Sequence, residues 1–377
     1  MSWTTCENFN PDIPDTRILL YNSPDLNPVH LEELGLFRTI IRKSNHVLVT
    51  DTTIAKLHLN DLTKCLNSLG IHYNIYTVKP GEEAKTISTY ADLLSCCAQY
   101  SLDKKSTIIG FGGGVVKDIA GFLASTLFRG VNLVQIPTTV LNQVDAAIDW
   151  KQALNLPHGK NLIGSMYSPS EVWVNPAFAR TLDERYLKDG LSESIKIALC
   201  RSAPFLHTLL QARIHDPDWL ASVINESAAL KAETMKRDSE PDDGVKQYGH
   251  AVGHAIEHLA QGKYGHGEAI AIGMCVTAEV ALLAGFCSEE TVKAHYDAFE
   301  RYGLPTRVPG WLTAEAAWDQ INFDKYFLHG KMYSMVLKDV GEAVEDSKGR
   351  AMLPFHRDIV IQAIERNRKR FDSLRFI

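Results

Sequence analysis

Short β-branched runs alternate with apolar patterns of helical period through the first half of the chain, which predicts a parallel sheet with helical crossovers. The strand candidates are His46–Asp51, Ile71–Val78, Thr107–Gly110, Val131–Ile136 and Glu171–Val174. Between them, Leu57–Leu69, Ile87–Tyr100 and Val115–Phe128 read as helices. From about Asp183 the β-type runs give way to long helical periodicities over Tyr186–Cys200, Trp219–Arg237, Tyr248–Leu259, Gly267–Gly285 and His356–Arg370. The expected organisation is an α/β domain over residues 1–182 and a mostly α-helical domain over 183–377. There is neither an internal repeat nor a low-complexity segment, and the turn-rich loop Asp238–Gly244 is a candidate mobile rim over a site.

A chain of 377 residues, 45% hydrophobic, can bury a large core, and its length favours two domains. The formal charge of −6 argues against a general nucleic-acid binder. The locally basic run Arg366–Arg370 reads as a solvated helix face. Seven cysteines, an odd number without CxxC spacing, fit a reducing compartment. The N-terminal segment lacks the features of a signal peptide, and no stretch reads as an uninterrupted bilayer span, so a soluble cytoplasmic protein without a membrane partner is expected.

The run Gly110–Asp118 follows a predicted strand and opens a predicted helix. Its glycines at 112, 113 and 114 let a backbone approach a diphosphate, whose charge the helix N–H groups would face. Val115 stands where a GxGxxG fingerprint has its last glycine, and no GK[ST] follows, so the run is no P-loop. Asp51, ending a predicted strand, can accept hydrogen bonds from ribose hydroxyls. Glu82 and Lys85 can hold the same region from a loop.

Further on, Glu193, His250 and His266 offer one carboxylate and two imidazoles, a three-ligand set for a divalent ion with positions left open. His250 and His254 also share a helix face and form a competing pair. The glutamate of HExxH sites is missing, since Ala251 follows His250, and a metalloprotease is disfavoured. Glycines 249, 253, 265 and 267 allow close approach of helices or substrate. Lys151, Lys160, Lys196 and Lys231, with Asp145, Asn155 and Asn161, read as a polar pocket lining for a phosphate or a hydroxyl-rich ligand.

The ordered motifs GGGVVKDIAG, QIPTTVLNQVD, KQALNLPHGKNLIG, GLSESIK, YGHAVGHAIEH and HGEAIAIGM resemble those of dehydroquinate synthase and its relatives, the sugar phosphate cyclases, from about Asp51 to Gly341. The resemblance implies a Rossmann-like N-terminal domain, a helical C-terminal domain, a tightly bound NAD, one divalent metal (zinc or cobalt) in the cleft between domains, and a homodimer. By matching motif, Glu193, His250 and His266 are the implied metal ligands, and His254 faces the substrate phosphate and takes part in proton transfer. Asp51, Glu82, Lys85, Gly113, Gly114, Val115, Asp118, Thr138, Thr139, Lys160 and Thr181 fall on NAD positions. Asp145, Lys151, Asn161, Lys196 and Lys231 fall on substrate positions. The implied chemistry is oxidation of a ring hydroxyl by NAD, elimination of phosphate, return of the hydride, and an intramolecular aldol closing a carbocycle.

Dehydroquinate synthases carry an arginine shortly before the first metal histidine, paired with the substrate carboxylate. The segment Asp242–His250 has none and places Gln247 nearby, which disfavours that activity. Lys151-Gln-Ala and Tyr248–Glu257 resemble the 2-deoxy-scyllo-inosose synthases, which cyclise glucose 6-phosphate, although those enzymes usually have Glu where Gln247 stands. Sedoheptulose 7-phosphate cyclases come next, then 3-dehydroquinate synthase, then metal-dependent alcohol dehydrogenases of the same fold. Lys325 occupies a place where relatives bring a lysine toward the site.

Overall fold

The computed structural model describes residues 2–6, 16–21, 39–237 and 244–370. The proposed rim at 238–243 lies outside the described residues. The chain divides into two compact units, one running to Asp183 and also holding His215–Lys236, the other comprising Glu184–Ile214 and the residues from Arg237. Residues 215–236, expected in the second domain, thus belong with the first.

The first unit is built on a seven-stranded sheet. Its strands are β1 (Ser2–Cys6), β2 (Thr16–Leu20), β3 (Asn45–Asp51), β4 (His72–Val78), β5 (Thr107–Gly112), β6 (Asn132–Pro137) and β9 (Glu171–Val174), in the order β1-β2-β9-β6-β5-β3-β4. All pairings are parallel except that of β1 with β2. Helices α1 (Thr52–Ser68), α2 (Ile87–Cys97) and α3 (Gly114–Thr126) are the crossovers. From β3 the chain moves outward to β4, whereas β5 leads the other way to β6. The carboxyl ends of β3 and β5 therefore flank the switch point at which ligands bind in open parallel sheets.

Strands β3, β5, β6 and β9 are almost continuously buried, as strands covered on both faces must be. Helix α1 starts at Thr52, five residues before the apolar periodicity suggests, because Asp51 caps it: Asp51 Oδ1 accepts from the amides of Thr53 (2.8 Å) and Ile54 (3.0 Å). Of the proposed polar pocket lining, Lys151, Asn155, Lys160 and Asn161 lie on a hairpin, β7 (Lys151–Leu156) with β8 (Gly159–Met166).

The second unit is mostly helical, with α4 (Glu184–Arg201), α5 (Ala203–Leu209), α7 (His250–Ala260), α8 (His266–Leu283), α9 (Glu289–Glu300), α10 (Ala314–Ile321) and α11 (Arg357–Lys369); α6 (Pro217–Arg237) lies mainly in the first. Helix α8 is apolar on nearly every face because it is the core helix of its unit. It is long and apolar enough to cross a bilayer by composition, which the sequence reading did not anticipate, yet 78% of it is buried inside the protein. The basic run at the C-terminal end of α11 is a solvated face only in part, with Arg366 and Lys369 exposed. Arg366 Nε lies 2.8 Å and Arg370 Nη1 2.6 Å from the completely buried Glu279 carboxylate on α8.

Candidate functional site

Helices α7 and α8 each begin with a histidine, His250 and His266; the start of α7 packs on the middle of α8, and the two imidazole rings meet with centroids 5.6 Å apart. A Cβ added at Gly273 would lie 2.1 Å from the Gly249 carbonyl oxygen, so only glycine lets the helices approach this far. Gly249 itself has φ +75° and precedes His250, turning the chain into α7. The start of α8 is fastened by carboxylates: Asp189 Oδ1 on α4 accepts from the Glu268 amide (2.9 Å), and Glu268 Oε2 accepts from the Gly265 amide (2.7 Å).

Glu193 on α4 is completely buried, and its Oε1 lies 3.7 Å from Nε2 of both His250 and His266. The other ring nitrogens point away from it. His250 Nδ1 bonds to the Tyr248 carbonyl at 3.0 Å, and His266 Nδ1 to Glu257 Oε2 at 2.9 Å. With each Nδ1 turned outward, the Nε2 atoms of both rings converge on a buried carboxylate oxygen that accepts no hydrogen bond among the described residues. A cation resolves that conflict: ligand atoms about 2.1 Å from zinc in tetrahedral array stand about 3.4 Å apart, close to the spacing found. The three residues thus fit a divalent ion.

Burial and the neighbouring Lys196 ammonium push His250 well below the ordinary histidine range. For His266 burial acts in the same direction, but the Glu257 hydrogen bond and the charges of Glu257, Glu193 and Asp189 outweigh it and lift the group to about 9. Lys196, almost fully buried, ion-pairs with Glu193 one turn away.

His254 sits one turn beyond His250, with the ring centroids 5.2 Å apart. Its Nδ1 lies 3.3 Å from Asp324 Oδ2, and Asp324 Oδ1 accepts from the Tyr326 amide at 2.9 Å. Lys325 is exposed, its ammonium 5.1 Å from the Tyr326 ring centroid. Gln247 is buried, with a side-chain oxygen that finds no partner. Glu257 and Asp324 were missed in the sequence. Glu257 lies seven positions after His250 and so falls on the same helix face, a signal that was available. Asp324 is 70 residues from His254, and no spacing rule reaches it.

In the first unit, Gly113 and Gly114 form the turn from β5 into α3, and the space above Gly114 is open. Val115 continues that first turn. Thr138 and Thr139 follow β6, where the Thr138 amide donates to the Gly112 carbonyl (3.0 Å). Asn142 Nδ2 donates to the same carbonyl at 2.9 Å. Thr138 Oγ1 and Asn142 Oδ1 are buried at this carboxyl end of the sheet and have no partner among the described residues, polar atoms that a dinucleotide can satisfy.

Lys85, almost fully buried, ties the neighbouring positions together: its ammonium lies 2.5 Å from Asp118 Oδ2, 2.5 Å from Asn161 Oδ1 and 3.8 Å from Glu82 Oε1. Asn155 Nδ2 donates to Glu82 at 2.7 Å. Asn161, expected among the substrate residues, is thus bonded to Lys85 and joined through it to Asp118 and Glu82, all three expected at NAD. Asp51 spends one oxygen on its cap. Thr181 Oγ1 is 2.8 Å from His58 Nε2, and Lys160 is exposed on β8. Lys151, Asp145 and Lys231 meet in a second cluster, where Lys231, buried on α6, has its ammonium 2.5 Å from Asp145 Oδ1.

The family model of the 3-dehydroquinate synthase N-terminal domain matches residues 75–189, and that of the C-terminal domain matches 190–327. The chain is 37% identical over 304 residues to a 3-dehydroquinate synthase of Desulforamulus reducens, covering 78% of this chain and 84% of that one. It is 40% identical over 273 residues to a 2-deoxy-scyllo-inosose synthase of Streptomyces paromomycinus, covering 71% and 70%. A crystal structure of 2-deoxy-scyllo-inosose synthase complexed with carbaglucose-6-phosphate, NAD+ and Co2+ superposes with TM-score 0.84 at 25% identity, over 97% of this chain and 100% of that one. The α/β unit, the helical unit and the ordered motifs agree with these matches, and the chain belongs to the 3-dehydroquinate synthase family of sugar phosphate cyclases.

Proposed function

We propose that the protein is an NAD-dependent, metal-dependent cyclase of the 2-deoxy-scyllo-inosose synthase type, which converts glucose 6-phosphate to a carbocycle with loss of phosphate. The observation that carries the cyclase reading is the convergence of Glu193 Oε1 with Nε2 of His250 and His266, each pair 3.7 Å apart. Glu193, His250 and His266 would hold zinc or cobalt, and the 2-deoxy-scyllo-inosose synthase structure contains Co2+. The β5–α3 turn at Gly113, Gly114 and Val115, with Asp51, Asp118, Thr138 and Thr139, would hold NAD. When bound, NAD supplies a reversible hydride acceptor, and the metal stabilises negative charge developing on a substrate oxygen.

The rest is done by side chains. His254, its Nδ1 turned to Asp324, presents Nε2 as the proton-moving atom near the leaving phosphate. Lys196, buried beside Glu193, donates to substrate oxygens next to the metal. Asp145, Lys151 and Lys231 orient hydroxyls by accepting and donating hydrogen bonds.

The choice of glucose 6-phosphate rests on the segment before His250, where Lys246 and Gln247 stand and no arginine is available to clamp a substrate carboxylate bidentately. The 3-dehydroquinate synthase reading has comparable sequence similarity in its favour. We also propose a cytoplasmic homodimer. The family resemblance supports this reading, as do the free thiols of Cys65, Cys96, Cys97, Cys275 and Cys287. The test is phosphate release by the purified protein with NAD and zinc or cobalt, offered glucose 6-phosphate, sedoheptulose 7-phosphate and the carboxylated heptulosonate phosphate in turn. Release from glucose 6-phosphate without build-up of NADH is the expected result. Release from the heptulosonate alone would make it a dehydroquinate synthase, and NADH accumulation a dehydrogenase.

A further inference from the structure

Asp149 was not among the residues singled out in the sequence, yet it completes a ring of charges in the first unit. A π-helical turn over Asn142–Ala146 ends as the Asp149 amide donates to the Asp145 carbonyl (3.2 Å), which brings both carboxylates to Lys231. Lys231 Nζ lies 2.5 Å from Asp145 Oδ1 and 4.0 Å from Asp149 Oδ2. Asp149 Oδ2 lies 2.8 Å from Lys151 Nζ, and its Oδ1 accepts from the Lys151 amide at 3.3 Å. Lys231 is 3% exposed, Asp149 10%, Asp145 19% and Lys151 44%. Two buried or half-buried ammonium groups are therefore balanced by two carboxylates, and Lys151 reaches solvent as half of an ion pair. Burial opposes the charge on Lys151, but the adjacent Asp149 outweighs it and holds the ammonium above the ordinary lysine range.

We propose that Asp149 is a specificity-determining residue, which neutralises Lys151 and Lys231 so that this cluster takes the hydroxyls of an uncharged sugar moiety and discriminates against a second anionic group on the substrate. This rests on the reading that Lys151, Asp145 and Lys231 line the substrate pocket. Without Asp149 the cluster carries one net positive charge and attracts a carboxylate. With it, the cluster presents adjacent donors and acceptors at zero net charge, which suit vicinal hydroxyls.

The test compares sorbitol 6-phosphate with 6-phosphogluconate, which differ only in a hydroxymethyl group replaced by carboxylate. Their dissociation constants are measured by calorimetry on protein loaded with NAD and zinc, so turnover does not enter. The wild type should favour sorbitol 6-phosphate. Asp149→Asn should move the ratio about ten-fold toward 6-phosphogluconate, the size expected of one uncompensated charge in a partly wet pocket. Asp149→Glu should keep the wild-type ratio, and adding Lys151→Gln to Asp149→Asn should restore it. Should Asp149→Asn not fold, Lys151→Gln alone should move the ratio about ten-fold the opposite way. An unchanged ratio in a variant that binds both probes overturns the role of Asp149 and leaves the pocket assignment standing. Failure of the wild type to bind either probe removes the pocket assignment, and the proposal with it.

Discussion

The imidazole Nδ1 of His266 meets Glu257 Oε2 at 2.9 Å, so that a carboxylate outside the ligand set decides which nitrogen of the ring faces Glu193. Partners of this kind orient metal-binding histidines, and their loss costs 10- to 100-fold in metal affinity as an order of magnitude. Glu257→Gln should weaken zinc or cobalt binding by about that factor. Competition with a chromophoric chelator measures it.

Removing a ligand outright should have a larger effect. Glu193→Ala or His250→Ala should abolish turnover while the circular dichroism spectrum stays native, since His266 remains fixed by Glu257 in both variants. Turnover that persists in a metal-free preparation would overturn the metal assignment.

Asp324 Oδ2 lies 3.3 Å from His254 Nδ1, and its expected role is to position that ring. Asp324→Asn should lower kcat by about 10- to 100-fold, within the usual range for general acid and base groups, and leave KM for the sugar phosphate within about a factor of three. A large KM change with kcat preserved would mean that Asp324 binds substrate instead.

Gly273 has no room for a side chain. Gly273→Ala places a methyl group 2.1 Å from the Gly249 carbonyl and must push α7 from α8 at the point where His250 enters the site. The expected outcome is metal affinity lowered by at least about ten-fold and stability lowered by about 1 to 3 kcal/mol, the usual cost of overpacking. Denaturant unfolding and chelator competition on one preparation separate the two effects.

His295 carries a pH dependence of stability. Burial holds it down to about 4, with Nδ1 against the Thr291 carbonyl (2.8 Å) and Nε2 against the Tyr248 hydroxyl (2.6 Å). The unfolded chain titrates near 6.5, so between pH 6.5 and 4 the unfolded state binds more protons than the native one. Stability must fall as pH falls through that window, by up to about 3 kcal/mol from this residue. His295→Gln should flatten the acid limb of the stability curve between those pH values. An unaltered acid limb would assign the loss to other groups.

The order of strands and helices was legible because β-branched runs and helical periods are local. All five predicted strands of the first half recur as β3, β4, β5, β6 and β9, and each of the long predicted helices appears within a few residues of its expected ends. The ordered motifs carried the family. Local pattern failed where pairing across the chain defines the element. Strand β2 is held by β9, 154 residues on at Arg17↔Glu171, and the hairpin β7–β8 looked like a pocket lining because lysine and asparagine interrupt its apolar positions. Arg366 and Arg370 read as solvated because nothing local reveals a buried Glu279 about 90 residues upstream.

By itself the sequence determined which chemical groups are present, the α/β and helical character of the two halves, and the glycines that permit close approach. Only the tertiary structure decided which groups meet. It converged Glu193 with His250 and His266 and gave His254 to Asp324. It also tied Asn161 to Lys85 and set Asp149 between two lysines. Hydrogen bonds and ion pairs act over about 3 Å and depend on direction, whereas the residues that make them here lie up to about 80 positions apart.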